Sequence, residues 1–238
     1  MTPRRTEAFV LRVRPLGEAD RVADLLTADL GRVAVVAKGA RRSRKRFGGL
    51  LDYFVRLRAT LRPGRGELWR LEDVELVRDY GAVARDLGTH AVAAHVLEVA
   101  WLGTCEADPD RAVFRLVDAA LAALAAGAEP GSLRRVFQAR MLQALGWAPF
   151  GACPGCGGRI GEGGGVRDGA VWCRSCGGPE AAPLSAGALR TLEAAASAPL
   201  PKLGSVRFTR AAAAELGPFL DAALTRALGA RPRTLERD

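Results

Sequence analysis

The sequence predicts an α+β fold in which a small barrel of five strands precedes a helical region with an inserted four-cysteine module. Three observations support this prediction. The first eighty residues contain short runs with strand-like alternation between Gly and Pro turns. Most of the remaining chain carries apolar residues at helical spacing, and two CxxC pairs interrupt that helical pattern.

The strand-like runs lie in the N-terminal third of the chain. In the first run Phe9, Leu11 and Val13 are predicted to share one face, while Arg12 and Arg14 are among the residues on the other. Five short strands joined by such turns favour a small closed barrel, which we assign to residues 1–79. The five runs are residues 7–14, 21–27, 32–37, 52–61 and 67–77.

The composition changes near Tyr80, where Ala, Val and Leu become abundant. We assign residues 80–238 to a helical domain, with Ser132 as a candidate N-cap of its third helix. Pro218 is expected to kink or divide the last helix, since proline lacks the amide that a helix interior requires. Residues 229–238 are expected to fray. The helical segments are predicted at residues 82–103, 111–126, 132–147, 185–197 and 209–228.

Four of the five cysteines form two CxxC pairs, Cys153 with Cys156 and Cys173 with Cys176. Each CxxC turn directs two thiolates toward one centre, and two such turns complete a tetrahedral site that suits zinc. We therefore predict one structural Zn²⁺ in a module spanning residues 150–180. The alternatives are a site that has lost its metal or a pair of redox thiols, although a thioredoxin-like site needs one pair in a βαβ setting.

The sequence offers little support for an enzyme. Four cysteines leave no open coordination position for a water molecule, and no GxxxxGK[ST] phosphate-binding loop occurs. The HxE motif of zinc deaminases is missing, because His95 and Glu98 are three residues apart. We interpret His90 and His95 as ordinary helix residues and Cys105 as a thiol without a special role.

The positive charge is concentrated in one segment. The chain has a net charge of +9, and no acidic residue lies between Asp29 and Asp52. A GC-rich coding bias explains why arginine replaces lysine, but it does not explain where the charge lies. We call residues 38–46 the basic loop and predict that it binds nucleic-acid phosphates; the alternative is a solvated loop without a partner. The candidate DNA-binding residues of this loop are Lys38, Arg41, Arg42, Arg44, Lys45 and Arg46.

Residues beside the basic loop extend the predicted surface. Arg56 and Arg58 share one face of the next strand, where the alternative is a solvated strand face. Phe47 and Tyr53 are candidates for stacking on bases, although aromatic residues so near a barrel are more often part of its core. A five-stranded barrel with a basic loop is the arrangement that OB-fold nucleic-acid binders use.

Nothing in the sequence predicts a membrane protein. The most apolar stretch, residues 89–103, is shorter than the roughly 20 residues that a bilayer span requires, and it contains Glu98. No secretory apolar region follows Arg4 and Arg5. We therefore expect a cytoplasmic protein whose clustered cysteines bind metal instead of forming disulfides.

The N-terminal sequence strongly resembles the RecO family of bacterial recombinational repair proteins. The string of lysine, glycine and basic residues, together with the two CxxC pairs, is the most specific part of this resemblance, which extends along essentially the whole chain. Some members of the family lack the cysteines, whereas this chain keeps all four. The N-terminal matches are Val10–Arg12, Gly17–Arg21, Thr27, Gly31, Ala37–Arg42 and Leu50.

The resemblance implies an N-terminal OB-fold, a helical domain and an inserted zinc module. It also implies binding to single- and double-stranded DNA and annealing of complementary strands, including strands coated by single-strand-binding protein. The implied protein partners are RecR, single-strand-binding protein and, indirectly, the RecA recombinase. Two other functions remain open on the residues alone: an adaptor whose basic loop docks an acidic protein tail, and an RNA-binding or translation factor.

Overall fold

The computed structural model describes residues 2–43, 47, 50–64, 68–147, 150–161 and 163–235. Its N-terminal part is a closed barrel with the strand order β1-β2-β3-β5-β4. Neighbouring strands are antiparallel except for β3 and β5, which are parallel, and the pairing of β1 with β4 closes the barrel. The prediction of a five-stranded barrel in an α+β fold is confirmed. The strands are β1 Arg4–Leu16, β2 Asp20–Thr27, β3 Arg32–Ala37, β4 Val55–Arg62 and β5 Trp69–Asp79.

The middle of strand β1, Ala8–Leu11, is buried on both faces. Ala8 and Val10 point into the barrel, whereas Phe9 and Leu11 belong to the core of the helical region. A β-bulge between Val10 and Arg12 leaves Leu11 outside the pairing register, so the alternation shifts by one residue. Val13 consequently packs against the barrel core, and the prediction that it shares a face with Phe9 and Leu11 was wrong.

The second half of the chain is mainly helical. Aspartate or hydroxyl side chains cap four of its helices, including Thr209 at α6. A 3-10 helix, Leu200–Ser205, packs beside the second and third helices. The helices are α1 Leu87–Gly103, α2 Arg111–Ala125, α3 Pro130–Ala144, α4 Arg174–Gly177, α5 Ala186–Ser197 and α6 Arg210–Leu228.

Two local predictions about the helices were wrong. Glu129, not Ser132, caps α3: its carboxylate accepts hydrogen bonds from the amides of Gly131 and Ser132. Helix α6 continues through Pro218 without dividing. Pro218 and Ala214, whose carbonyl would otherwise accept the missing amide, both lie on the exposed side of α6, where water is available to that carbonyl.

The C-terminal tail docks onto α1, and the prediction that it frays was wrong for residues 229–235. Both carboxylate oxygens of Glu98 accept hydrogen bonds from the backbone amides of Arg233 and Thr234, at 3.0 and 2.9 Å. The Thr234 hydroxyl lies 2.7 Å from Nδ1 of His95, and Leu235 is buried. Residues 236–238 lie outside the described part of the chain.

One side of the barrel packs into the apolar core of the helical region, while the barrel interior forms a separate core. The ring of Phe9 on β1 packs against Phe114 of α2, with 5.0 Å between the ring centroids. On the same side of the barrel, the guanidinium of Arg12 lies 3.2 Å from the centre of the Trp101 ring, and that of Arg32 lies 4.8 Å from it. These contacts join strands β1 and β3 directly to α1 and α2.

Among the described residues, no helix combines the length and the apolar character needed to cross a bilayer.

Candidate metal centre and nucleic-acid surface

The two CxxC pairs meet in space. The Sγ atoms of Cys153, Cys156, Cys173 and Cys176 all lie within 4.8 Å of one another, and those of Cys156 and Cys173 are 3.9 Å apart. Tetrahedral zinc with Zn–S bonds of about 2.3 Å requires sulfur atoms roughly 3.8 Å apart. The separation of the thiols and their chemistry therefore fit a four-coordinate soft cation.

Backbone turns position the four thiols. In the first CxxC turn the amide of Gly157 donates to the carbonyl of Cys153 at 2.8 Å, and Gly157 has φ of +68°, which favours glycine. In the second turn the amide of Gly177 donates to the carbonyl of Cys173 at 2.8 Å. The second turn directly follows a strand of a three-stranded sheet, whereas an isolated bridge between Ala152 and Arg159 flanks the first. The strands of this sheet are β6 Gly165–Arg167, β7 Ala170–Trp172 and β8 Ala182–Pro183.

Arg167 and Trp172 support the second CxxC turn, and sequence reasoning missed both. The guanidinium of Arg167 lies 4.2 Å from the centre of the Trp172 ring, and its Nη1 donates to the carbonyl of Gly177 at 2.9 Å. The Trp172 indole donates in turn to the carbonyl of Arg167 at 3.0 Å. A Cβ atom at Gly155 would lie 3.1 Å from the Trp172 ring, so the two CxxC turns pack against this pair.

The pKa values of two thiols in the cluster, Cys153 and Cys176, are shifted in opposite directions. Hydrogen bonds from the backbone amides of Cys173, Cys156 and Gly155, against desolvation, lower the pKa of Cys153 to about 6. Hydrogen bonds with the Cys173, Cys156 and Cys153 sulfurs raise the pKa of Cys176 to about 12. The Cys153 thiolate therefore forms readily, whereas ionisation of Cys176 beside the other sulfurs is unfavourable unless a cation lies among them.

The beginning of the basic loop folds back onto the turn between β1 and β2. The Lys38 ammonium lies 2.8 Å from Oδ2 of Asp20, and the Gly39 amide donates to Oδ1 of the same carboxylate at 2.8 Å. The hydrogen bond from Lys38, followed by that from Gly39, lowers the pKa of Asp20. Gly39 has φ of +70°, a conformation that favours glycine and lets the loop turn here.

The next two arginines of the basic loop are on the protein surface. The Arg41 amide donates to the carbonyl of Ala19 at 3.0 Å, and its guanidinium donates to the carbonyl of Gly17 at 3.2 Å. Arg42 and Glu18 form a solvent-exposed ion pair at 4.0 Å, which contributes little to the stability of the protein. The loop therefore presents cations beside the β1–β2 turn. Arg44, Lys45 and Arg46 lie outside the described residues.

Arg56 and Arg58 share one face of β4, together with acidic partners that the sequence pattern did not reveal. Arg56 is only 25% exposed and pairs with Glu7 of β1 and, at 3.0 Å, with Asp118 of α2. Arg58 is 41% exposed and pairs with Glu7 at 3.3 Å and Glu75 at 3.7 Å. Arg56 thus has a structural role that joins the barrel to α2, and DNA binding by these two arginines remains a prediction.

The two candidate stacking residues have different environments. Phe47 is 2% exposed and belongs to the barrel core, as aromatic residues near a barrel usually do. Tyr53 is 42% exposed and lines a cleft between the barrel and α1. The pattern of the sequence did not distinguish these two residues, because their burial depends on tertiary packing and not on local spacing.

The closed five-stranded barrel is OB-like, and it is joined to a helical region that carries the four-cysteine cluster. The protein is therefore a two-part α+β protein with an OB-type barrel. The family model described as Recombination protein O N terminal matches residues 1–80, and that described as Recombination protein O C terminal matches residues 84–236. The chain belongs to the RecO family of DNA repair proteins, as the resemblance in its sequence indicated.

Similar proteins cover nearly the whole chain. A protein of Anaeromyxobacter sp. (strain K) named DNA repair protein RecO is 41% identical over 93% of this chain and 92% of its own length. Proteins of the same name are 33% identical in Pelobacter propionicus, over 99% and 96% of the two chains, and 34% identical in Symbiobacterium thermophilum, over 91% and 88%. Family membership supports a role in recombinational repair.

Proposed function

We propose that this protein is a recombination mediator that binds single- and double-stranded DNA and anneals complementary strands. It works with RecR to help load RecA onto DNA coated by single-strand-binding protein, in the cytoplasm and in association with the nucleoid. Besides family membership, the main structural support is the basic loop, whose Lys38, Arg41 and Arg42 lie together beside the β1–β2 turn of the barrel. We assign DNA binding chiefly to the barrel, residues 1–79.

The chemistry of the basic loop determines how it binds. Lysine and arginine side chains neutralise phosphates and release condensed counterions, which favours binding to any DNA strand. Phosphate contacts carry no information about base sequence, so one surface serves many sequences. Two complementary strands repel each other through their phosphates, and a cationic surface that lowers this repulsion brings them together.

Annealing of this kind requires no catalysis by the protein. Pairing of complementary strands is itself favourable, because each base-pair step of a DNA duplex contributes about 1.4 kcal/mol of stacking. The protein therefore acts by binding and bringing strands together, and we propose that it has neither ATPase nor nuclease activity. The four cysteines have a separate, structural role.

We propose that Cys153, Cys156, Cys173 and Cys176 bind one Zn²⁺. Bound zinc supplies folding free energy to a small module that has few apolar residues of its own. The module contacts the helical region through Phe150, whose ring lies 6.2 Å from that of Phe219, and through an Arg226 hydrogen bond to the carbonyl of Asp168 at 2.8 Å. Holding the cysteines together thus also maintains these contacts with α6.

The proposal is tested by strand annealing with the purified full-length protein in the absence of any nucleotide. We expect complementary DNA strands, bare or coated with single-strand-binding protein, to anneal faster with the protein than without it. RecR and RecA are then added to measure loading. Binding to DNA and to RNA of one sequence is compared over a range of salt concentrations.

Each alternative function has its own outcome in these experiments. Preference for RNA over DNA, without annealing, would favour the RNA-binding alternative. Failure to bind either nucleic acid at low salt, together with binding to an acidic peptide, would favour the adaptor. Both results would contradict the proposed function.

A further inference from the structure

A cleft of about 560 Å³ separates the edge of the barrel from α1. Its barrel side is formed by the end of β1 and by Tyr53, and its other side by α1 and the docked C-terminal tail. A second hollow of about 380 Å³ also includes Tyr53 and leads toward Arg21 and Arg41 beside the basic loop. Tyr53 therefore lies where the basic loop and the cleft meet.

The backbone presents the Tyr53 ring to this cleft. The next residue, Phe54, is 8% exposed and has φ of +63°, an unusual conformation for a large side chain. Its carbonyl accepts a hydrogen bond from the Tyr80 amide at 2.9 Å, and its ring lies edge-on to His90, 5.3 Å away. Because Phe54 is buried in this way, the adjacent Tyr53 faces outward, with 42% of its surface exposed.

The charges around the cleft favour a polyanion. Three arginines line the larger cleft, namely Arg12, Arg14 and Arg233, and two line the second hollow. These five arginines outnumber the two carboxylates on the same walls, Glu98 and Asp52, which hold backbone amides. Glu98 accepts the amides of Arg233 and Thr234, and Asp52 accepts that of Tyr53.

We propose that this cleft binds an unpaired nucleotide of single-stranded DNA, with its base stacked on Tyr53 and its phosphates near the surrounding arginines. This inference rests on the proposed DNA-binding function and adds a strand preference to it. A base reaches a side chain within a cleft only when it is not paired and stacked in a duplex, so the Tyr53 ring distinguishes single strands from duplex. The docked tail contributes through Arg233, which lines the proposed binding cleft.

The test compares Tyr53→Ala with the unmodified protein on a single-stranded oligonucleotide and on a duplex, across a salt series. Losing one stacked base should weaken single-strand binding by roughly 5- to 150-fold. Duplex binding and the salt slope should stay unchanged, because stacking neutralises no phosphate. A 2-aminopurine base in the oligonucleotide should be quenched by the unmodified protein but not by Tyr53→Ala.

Matched variants control for damage to the fold. Tyr53→Phe and Tyr53→Trp keep an aromatic ring and should retain single-strand affinity. Trp147→Ala removes an aromatic side chain of similar exposure, 40%, that does not line the cleft, and it should have no effect. Thermal unfolding of each variant checks that the barrel is intact.

The outcomes separate this inference from the proposed function. If the unmodified protein binds DNA and Tyr53→Ala binds single strands equally well with normal quenching, the cleft is not a base-binding site, while DNA binding stands. An equal loss on single strands and duplex would also overturn the stacking role. If the unmodified protein binds no DNA, the proposed function itself fails.

Discussion

The ammonium group of Lys38 and the carboxylate of Asp20 form an ion pair at 2.8 Å, which ties the start of the basic loop to the turn between β1 and β2. Asp20 also accepts the amide of Gly39, so one carboxylate fixes both the position of Lys38 and the loop backbone. The negative charge of Asp20 also partly neutralises the positive charge of Lys38, so Lys38 attracts a phosphate less strongly. The β1–β2 turn therefore sets both the geometry and the strength of the predicted phosphate contacts.

Replacing Asp20 with Asn should strengthen DNA binding. The Asn carbonyl can still accept the Gly39 amide, but the negative charge that competes with phosphate for Lys38 is gone. If Lys38 then neutralises one more phosphate, the slope of log K against log salt should steepen by about 0.7 on single strands. Fluorescence anisotropy over a salt series measures this change. An unchanged slope would show that Asp20 does not compete with phosphate for Lys38, and weaker binding at every salt concentration would contradict the prediction.

The four-cysteine site should contain about one zinc ion per chain, measured by elemental analysis of protein purified without chelator. Cys156→Ser should reduce the zinc content, expose residues 150–180 to proteolysis and lower the free energy of unfolding, because a structural zinc contributes folding energy directly. Cys105→Ser is the matched control, since Cys105 is exposed and lies outside the cluster. Metal-free protein with an intact, protease-resistant module would argue against this assignment.

The stability of the protein should fall as the pH decreases from about 7 to 5. His95 is buried, and desolvation, together with the charge of Arg134, lowers its pKa to about 3. In this pH window the unfolded chain binds a proton at His95, with an ordinary pKa of about 6.5, while the folded protein does not. Stability is therefore fully present above that ordinary pKa and is lost below it, by about 2 kcal/mol at pH 5.

Chemical denaturation at several pH values measures this contribution. His95→Gln removes the titrating group, so the difference in stability between pH 7 and pH 5 should shrink by a similar amount. Two neighbours hold the neutral imidazole: the Thr234 hydroxyl at 2.7 Å and the Gln138 amide at 3.3 Å. If the His95→Gln variant keeps the full pH dependence of its unfolding free energy, other titratable groups cause that dependence.

Asp118 of α2 should stabilise the contact between the barrel and the helices. It accepts hydrogen bonds from Arg56, at 3.0 Å, and from the Tyr80 hydroxyl. Its side chain is only 24% exposed, so Asp118→Asn should cost about 1–2 kcal/mol of unfolding free energy. Glu193→Gln, which removes the exposed pair with Arg159, should cost close to nothing. Equal effects of the two substitutions would mean that the buried network contributes little.

The sequence predicted the barrel and the cysteine cluster well because both depend on local patterns. Alternation and turn residues define short strands, and CxxC spacing brings two thiols together in each turn. Helix periodicity likewise located α2 and α5 within one residue of their observed bounds. These features need little information about distant parts of the chain.

The predictions that failed depend on distant contacts. Ser132 is buried and its hydroxyl accepts the amide of Phe208, 76 residues later, so it is not available as a cap. The tail docks because Glu98, 135 residues earlier, accepts the Arg233 amide. The acidic partners of Arg56 come from another strand and from a helix, and the spacing within β4 does not encode them.

The central claim, that the basic loop binds DNA, is tested most directly by changing Lys38, Arg41 and Arg42 together to Glu and measuring affinity over a salt series. The matched control changes Arg111, Arg115 and Arg190, three exposed arginines of the helical region, to Glu. Arg134 is unsuitable as a control because its side chain is only 11% exposed.

We expect the loop variant to remain folded, to bind DNA much more weakly, and to lose about two units of salt slope on single strands and nearly three on duplex. The control should lose less affinity. If the loop variant binds with unchanged affinity and slope while the control loses binding, the DNA path runs over the helical region and the basic loop is not the binding site.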